Sequence, residues 1–145
     1  MIGRLARKAR AAADVLQAAI AVRRARHSVA RTPLGSLVQS NASPTPPADA
    51  PSLSPQAANL GRRWGVAVDR ALRVVPGDRG CLVRASALRD LLAAGGLPRA
   101  EVRIGVRRGA AGFEAHAWVE QDGTPIAEPD TLRGAFASLD GVTLR

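Results

Sequence analysis

The spacing of apolar residues changes once along this chain, near residues 95–98, and that change limits the fold more than any other feature. Before it, the apolar residues between Leu60 and Val75 recur every three or four positions, as on one face of a helix. After it, apolar and polar residues alternate from 101 to 127, as in strands with one buried face. Helices followed by short consecutive strands predict an α+β domain with a helix packed on a small antiparallel sheet.

Two helices are predicted before the change of spacing. Ser54 is a natural N-cap and Pro55 a natural first helical residue, while Pro76-Gly77 would stop this helix. The second helix would begin at Cys81 and end at Gly95-Gly96, because glycine accepts the backbone conformation that closes many helices.

Three strands are predicted after the change. Alternation favours a first strand near 101–107, a second over Phe113–Glu120 and a third over Thr124–Ala127. Asp122-Gly123 lies between the last two and is typical of a hairpin turn. The tail from Ala135 to Arg145 supplies apolar residues without a clear period, so its structure stays open.

A proline-rich stretch divides the chain ahead of these elements. Residues 40–55 hold five of the ten prolines, and such a segment forms neither a helix nor the interior of a sheet. We therefore predict three parts: a basic amphipathic helical arm at 1–39, a linker at 40–53, and a compact domain at 54–145.

The net charge of +9 belongs mostly to the arm. The first 40 residues carry eight basic groups against Asp14 alone. Such an arm suits an acidic partner or an anionic membrane surface, or it is simply a solvated helix. Nucleic acid is disfavoured, because aromatic residues are scarce and none lies among the basic ones. The apolar stretch Ala11–Val22 is shorter than the roughly 20 residues that span a bilayer, so we expect a helix lying on a partner or on the protein itself.

The small numbers of cysteine and histidine residues limit the disulfides and metal sites that the chain can form. A single cysteine cannot form a disulfide within the chain, which suits a reducing, cytoplasmic compartment. Peripheral contact of the arm with a membrane stays open. One cysteine and two histidines are too few for a structural zinc site without carboxylates, and the glycines lack the context of a phosphate-binding loop. We therefore expect neither a metal nor another cofactor.

The candidate catalytic residues are Cys81, His116 and a carboxylate, Glu128 or Asp130. A thiol in the first turn of a helix faces unpaired backbone N–H groups and the positive end of the helix dipole, which favour the thiolate. Thiol, imidazole and carboxylate are the parts of a cysteine hydrolase or acyltransferase. Alone, such a cysteine is more often an inert core residue, and a strand histidine a structural one.

The turn of the hairpin decides which carboxylate meets the histidine. A three-residue loop would place Glu128 opposite His116 on the same face. A two-residue loop at Asp122-Gly123 would put Pro129 there instead and turn Glu128 away. Asp130 has the same parity as Glu128 but lies one pair further along, so Glu128 is the first candidate and Asp130 the second.

Three segments of the chain resemble the transglutaminase-like cysteine peptidases of lasso-peptide biosynthesis, the leader peptidases or B proteins. They are Gly80–Leu88, Arg103–Val106 and Phe113–Glu120, with Cys81 opening the first and the His-Ala-Trp run lying in the last. The resemblance covers about residues 55–130 and implies a papain-like or transglutaminase-like core.

The same resemblance implies the roles of the site residues. Cys81 would be the nucleophile, His116 the base, and Glu128 the carboxylate that orients the imidazole. Asp130 remains the alternative, because the family commonly uses aspartate.

The resemblance also implies partners. Some members carry a leader-recognition domain in the same chain, and the region before residue 54 is too small for one, so we expect a split peptidase. Its substrate would be a precursor peptide, and its partners a separate leader-recognition protein and the lasso cyclase. Two other functions stay open: a transglutaminase-like acyltransferase, and a non-catalytic interaction module that uses the basic arm.

Overall fold

A computed structural model of the chain describes residues 2–32, 52–129, 132 and 135–138. Within these residues the chain forms three helices and four strands. They are α1 (Ile2–Arg31), α2 (Pro55–Val74), α3 (Cys81–Ala94), β1 (Glu101–Gly109), β2 (Gly112–Gln121), β3 (Thr124–Ile126) and β4 (Ala137–Ser138). The strands form one antiparallel sheet in the order β3-β2-β1-β4. The predicted α+β class, with the Cys81 helix packed on a small sheet, is confirmed.

The main core lies between the helices and one face of the sheet. Alternation along β2 sends Ala117 and Val119 into this core, while His116 and Trp118 occupy the opposite face. The largest fully buried side chains are Val22, Val68, Val83, Leu88, Leu92, Val119 and Ile126. Because they come from every helix and from two strands, burial of this set joins all three helices to the sheet.

Helix α1 packs on the protein itself, along α2 and α3. Its buried residues are mostly alanines, with Val22 as the largest apolar side chain, so the helix backbones approach closely. Asp14 is also buried on this face, where it accepts hydrogen bonds from Arg63 of α2. The division of the chain into arm, linker and domain stays a prediction, since residues 33–51 lie outside the described residues.

Helix α2 begins as predicted. The Ser54 hydroxyl accepts a hydrogen bond from the Ala57 N–H at 3.1 Å, and Pro55 is the first helical residue. Two glycines of α2 then lie against β3. A Cβ atom at Gly61 would come within 2.5 Å of Ile126 Cγ2, and one at Gly65 within 2.8 Å of Ala127 Cβ. These glycines let the end of β3 pack close to the helix.

The hairpin between β2 and β3 has the shorter of the two loops considered from the sequence. Gln121 pairs with Thr124, so the loop has two residues and the register of a three-residue loop does not form. Asp122 and Gly123 both have positive φ, 50° and 80°, as the tightest hairpin turns require. The strand also stops one residue early, because Ala127 adopts φ 55° and leaves the extended conformation.

The described part of the tail adds the last strand. Its residues Ala137 and Ser138 pair with Val106 and Gly105 at the free edge of β1. None of the helices that the structure describes combines the length and the apolar character that crossing a bilayer requires.

Candidate active site

Cys81 is the first residue of α3 and its thiol is free and partly buried. The preceding Gly80 is the N-cap and contributes no side chain to the helix end. Asp78 shapes the turn instead, because its Oδ1 accepts the Gly80 N–H at 2.8 Å. The first N–H groups of a helix have no partner within the helix, so an anion formed at Cys81 would meet a positive environment.

The turn before Cys81 is also held from outside by Arg26 of α1. Its guanidinium donates to the backbone carbonyls of Pro76 and Asp78, both at 2.6 Å, and of Val75 at 3.2 Å. One side chain therefore fixes most of the segment that joins α2 to the Cys81 helix.

His116 lies on β2 within an aromatic cluster that it forms with Trp118 and Phe136. Its ring centroid is 6.1 Å from that of Trp118 and 5.5 Å from that of Phe136. Gly105 pairs with His116, and a Cβ atom there would come within 2.7 Å of Trp118. Glycine on β1 is thus needed for the cluster that positions the imidazole.

The ion pair of Arg103 and Glu120 holds Trp118 through a hydrogen bond. The indole N–H donates to Glu120 Oε2 at 3.2 Å, and Arg103 Nε donates to Glu120 Oε1 at 2.6 Å. All three side chains are buried. Because Trp118 stacks on His116, this hydrogen-bonded set limits the positions that the imidazole can take.

Glu128 approaches His116, although the backbone path differs from the predicted one. Its Oε2 lies 3.8 Å from His116 Nε2, and its side chain is only 8% exposed. A two-residue hairpin loop alone would turn Glu128 away from His116. The left-handed conformation of Ala127 breaks the alternation just before Glu128, so the carboxylate faces the imidazole after all. With Nε2 toward Glu128, Nδ1 is the ring nitrogen left for a thiol.

Arg84 joins Glu128 to the Cys81 helix and was not identified from the sequence. It donates to Glu128 Oε1 at 2.6 Å, to Asp69 Oδ1 at 2.8 Å and to the Ala127 carbonyl at 3.2 Å. Residues three apart on a helix are neighbours, so Arg84 projects from the same side of α3 as Cys81. That spacing was the available signal, but arginine at such a position is usually solvent-exposed.

The electrostatics of Arg84 favour a permanent cation. Burial works to lower the pKa of its guanidinium, but the hydrogen bond to Asp69 and the charge of Glu128 outweigh it and raise the pKa above its usual value. The permanent positive charge of Arg84 lies against Glu128 Oε1 and keeps that oxygen hydrogen-bonded. The other oxygen, Oε2, is then directed to His116.

Of the predicted site residues, the structure therefore brings His116 and Glu128 together but does not join Cys81 to them directly. His116 and Glu128 are in contact, while no hydrogen bond of the described residues links Cys81 to His116. Cys81 is instead connected to the pair through its helix, by way of Arg84. Asp130, the alternative acid, lies outside the described residues. Within the described part of the chain, no group of three histidine, cysteine or acidic side chains is arranged to hold a metal ion.

Comparison with known proteins identifies the family. The model of the transglutaminase-like superfamily matches residues 3–140, which include α1 as well as the Cys81 helix and the sheet. The chain therefore belongs to the transglutaminase-like superfamily, whose members usually act through a catalytic cysteine. This assignment is consistent with a cysteine peptidase or an acyltransferase. Neither the comparison with curated proteins nor that with solved structures gives a match.

Proposed function

We propose that this chain is a cysteine peptidase that removes the leader peptide from a lasso-peptide precursor. In this proposal Cys81 is the nucleophile, His116 the base and Glu128 the carboxylate that orients the imidazole. The observation that carries it is the 3.8 Å approach of Glu128 Oε2 to His116 Nε2. Arg84 ties the same carboxylate to the helix that Cys81 begins, which supports the proposal by joining the His116–Glu128 pair to α3.

The proposed reaction uses these side chains and a water molecule. His116 takes the thiol proton through Nδ1, and the thiolate attacks the carbonyl at the leader–core junction. The unpaired N–H groups in the first turn of α3 would stabilise the oxyanion that forms. His116 then protonates the leaving amine, which becomes the N-terminus of the core peptide. Water hydrolyses the thioester left on the leader and regenerates Cys81.

The orienting contact is expected to tighten during this reaction. A separation of 3.8 Å is longer than a hydrogen bond. Catalytic hydrogen bonds are often long in the free enzyme and shorten when the substrate binds. Once His116 carries a proton on both nitrogens, its charge would also draw the Glu128 carboxylate closer.

A free stretch of sheet edge beside His116 supports a peptide substrate. Within the described residues, β3 pairs only with Val119–Gln121, and no strand covers the same edge of β2 over Gly112–Trp118. An extended chain can add to such an edge through backbone hydrogen bonds, which require no particular side chain. The scissile bond would then pass close to the imidazole.

The proposal includes partners and a compartment. A separate leader-recognition protein would deliver the precursor, and the lasso cyclase would take the released core peptide. A single free thiol suits the reducing cytoplasm, because its function would be lost on oxidation. The basic surface of α1 is available for contact with one of these partners.

The test is mass spectrometry of a candidate precursor incubated with the protein, with and without the recognition protein. We expect cleavage at one junction, accelerated by the recognition protein and abolished in Cys81→Ala and His116→Ala. Ser86→Ala is the matched control. Ser86 lies on the same helix and lines a cavity with residues of α1 and β1, so this variant should cleave the precursor normally. Full processing by Cys81→Ala would rule out the proposed mechanism.

The superfamily assignment also supports acyl transfer as a second candidate. In that case an amine, and not water, would attack the Cys81 thioester. A labelled primary amine added to the assay separates the two, because its incorporation into the leader product occurs only in acyl transfer. If the wild type neither cleaves nor transfers, while both wild type and Cys81→Ala bind the precursor, an interaction module is favoured instead.

A further inference from the structure

A groove between α1 and the C-terminal end of α2 leaves large apolar side chains open to solvent. Leu16 and Ile20 of α1 are 65% and 47% exposed, and Val74 of α2 is 70% exposed. Together with Pro76 they line a cavity of about 630 Å³, which we call the α1–α2 groove. Leu16 and Ile20 are four residues apart, so they stand on one side of the helix and form a continuous apolar strip.

The charge around the α1–α2 groove is positive. Arg23 and His27 continue the strip of Leu16 and Ile20 by further turns of α1, and none of the described residues that line the groove is acidic. Arg26 also lines it, but its guanidinium is occupied by the carbonyls of the turn before Cys81. The groove therefore combines apolar walls with the cationic side chain of Arg23 along one border.

The acidic residue of α1 does not offset this charge. Asp14 is buried, and its carboxylate accepts two hydrogen bonds from Arg63. The other charged residues of α1 are all basic, and most of them are exposed. A partner that approaches this side of the helix thus meets basic side chains of α1 and no exposed acidic side chain from the same helix.

We propose that the α1–α2 groove binds an acidic amphipathic helix of a partner polypeptide. Apolar side chains spaced three and four residues apart on that helix would cover Leu16, Ile20 and Val74. Its carboxylates would face Arg23 and the neighbouring cations of α1, which sets orientation and speeds association. The inference rests on this surface and is independent of the reaction at Cys81.

The shape of the surface favours a polypeptide over a membrane. The partly buried Ala19 lines the groove together with the more exposed Ile20 and Val74. A lipid headgroup layer meets a convex apolar face, as on an isolated amphipathic helix. A recess between two helices instead accepts the side chains of a single narrow segment, as in helix-in-groove recognition.

The experiment uses the full chain and two labelled synthetic peptides. Both carry leucine at helical spacing; one has glutamate at the other positions and the second has lysine there. We expect the glutamate peptide to bind in fluorescence anisotropy, with weaker binding at high salt, and the lysine peptide to bind about tenfold more weakly or not at all. Lack of binding by the glutamate peptide, or equal binding of both, would overturn the proposal.

Three variants locate the binding. Ile20→Glu and Val74→Glu should each weaken binding of the glutamate peptide about tenfold, because they place a carboxylate in the apolar groove. Val66→Glu is the matched control: it is an exposed valine of α2 outside the groove and should bind normally. All three positions are exposed, so the helices should form in each variant, as circular dichroism would verify.

Two results would contradict the location or the occupant. Equal loss of peptide binding in Val66→Glu would show that the groove is not the contact surface. Vesicles containing phosphatidylserine test whether the occupant is a membrane instead. If the chain binds them, loses that binding in Ile20→Glu, and ignores the glutamate peptide, the surface serves a membrane and the proposal is wrong.

Discussion

Replacing Arg84 with methionine would test whether one arginine holds the carboxylate of the candidate site in place. Methionine keeps much of the side-chain length and removes the charge. The structure assigns three hydrogen bonds to Arg84: to Glu128, which is buried, to Asp69, which is exposed, and to the Ala127 carbonyl. The substitution leaves Glu128 buried without its cation, and that is the main source of the expected loss.

The magnitude follows from the burial of each partner. A hydrogen bond between charged groups contributes about 1.5–3 kcal/mol, and the value applies to Glu128 because it is shielded from water. The bond to the exposed Asp69 adds about 0.2–1 kcal/mol. We therefore expect Arg84→Met to lower the free energy of unfolding by about 2–4 kcal/mol. For a chain of this size that corresponds to a fall in Tm of roughly 5–15 °C.

Urea unfolding followed by circular dichroism measures this difference, and Arg89→Met is the matched control. Arg89 lies on the same helix and pairs with the adjacent Asp90, but both side chains are about half exposed. Its loss should cost less than about 0.5 kcal/mol. The double variant Arg84→Met/Glu128→Gln should be more stable than the sum of the single changes predicts, since it removes both charges of the buried pair. Equal losses in Arg84→Met and Arg89→Met would refute the reasoning.

Two further predictions concern packing and pH. Gly61→Ala should destabilise the protein by about 1–3 kcal/mol in urea unfolding, because the new methyl group would collide with β3. A methyl group at Gly3 would meet open space, so Gly3→Ala should instead stabilise the protein by about 0.5–1 kcal/mol. The hydrogen bond from Arg63 lowers the pKa of Asp14, so the stabilisation it provides is present above the ordinary aspartate pKa of about 4 and is lost as the pH falls below that range. The difference in unfolding free energy between wild type and Asp14→Asn should accordingly shrink from neutral to acidic pH, and a constant difference would contradict the assignment.

The helices and the class of fold were accessible from the sequence because their signals are local. Ser54, Pro55 and the glycines at 95–96 mark helix ends by chemistry that operates within a few residues. The switch from helical to strand spacing gave the order of helices and sheet. The same applies to the start of α3 at Cys81, which a proline–glycine turn precedes.

The geometry at the acid was not accessible, because it depends on one backbone conformation with no sequence signal. Alanine rarely adopts positive φ, so nothing at Ala127 indicated that the strand would end there and rotate Glu128 toward His116. Tertiary packing sets that conformation: Ala127 lies against Gly65, and its carbonyl accepts a hydrogen bond from Arg84. A three-residue loop would have brought Glu128 to His116 by strand pairing, whereas the structure brings the two together through a two-residue loop and the turn at Ala127.

The three hydrogen bonds that Arg26 donates to backbone carbonyls affect how the protein should be produced. A fragment that starts at Ser54 would keep Cys81, His116 and Glu128, yet it would lose the side chain that holds the turn before Cys81. It would also uncover the apolar surfaces of α2 and α3 on which α1 packs. Expression trials and crystallisation should therefore retain the first helix, and an inactive truncated preparation would say nothing about the chemistry of the intact chain.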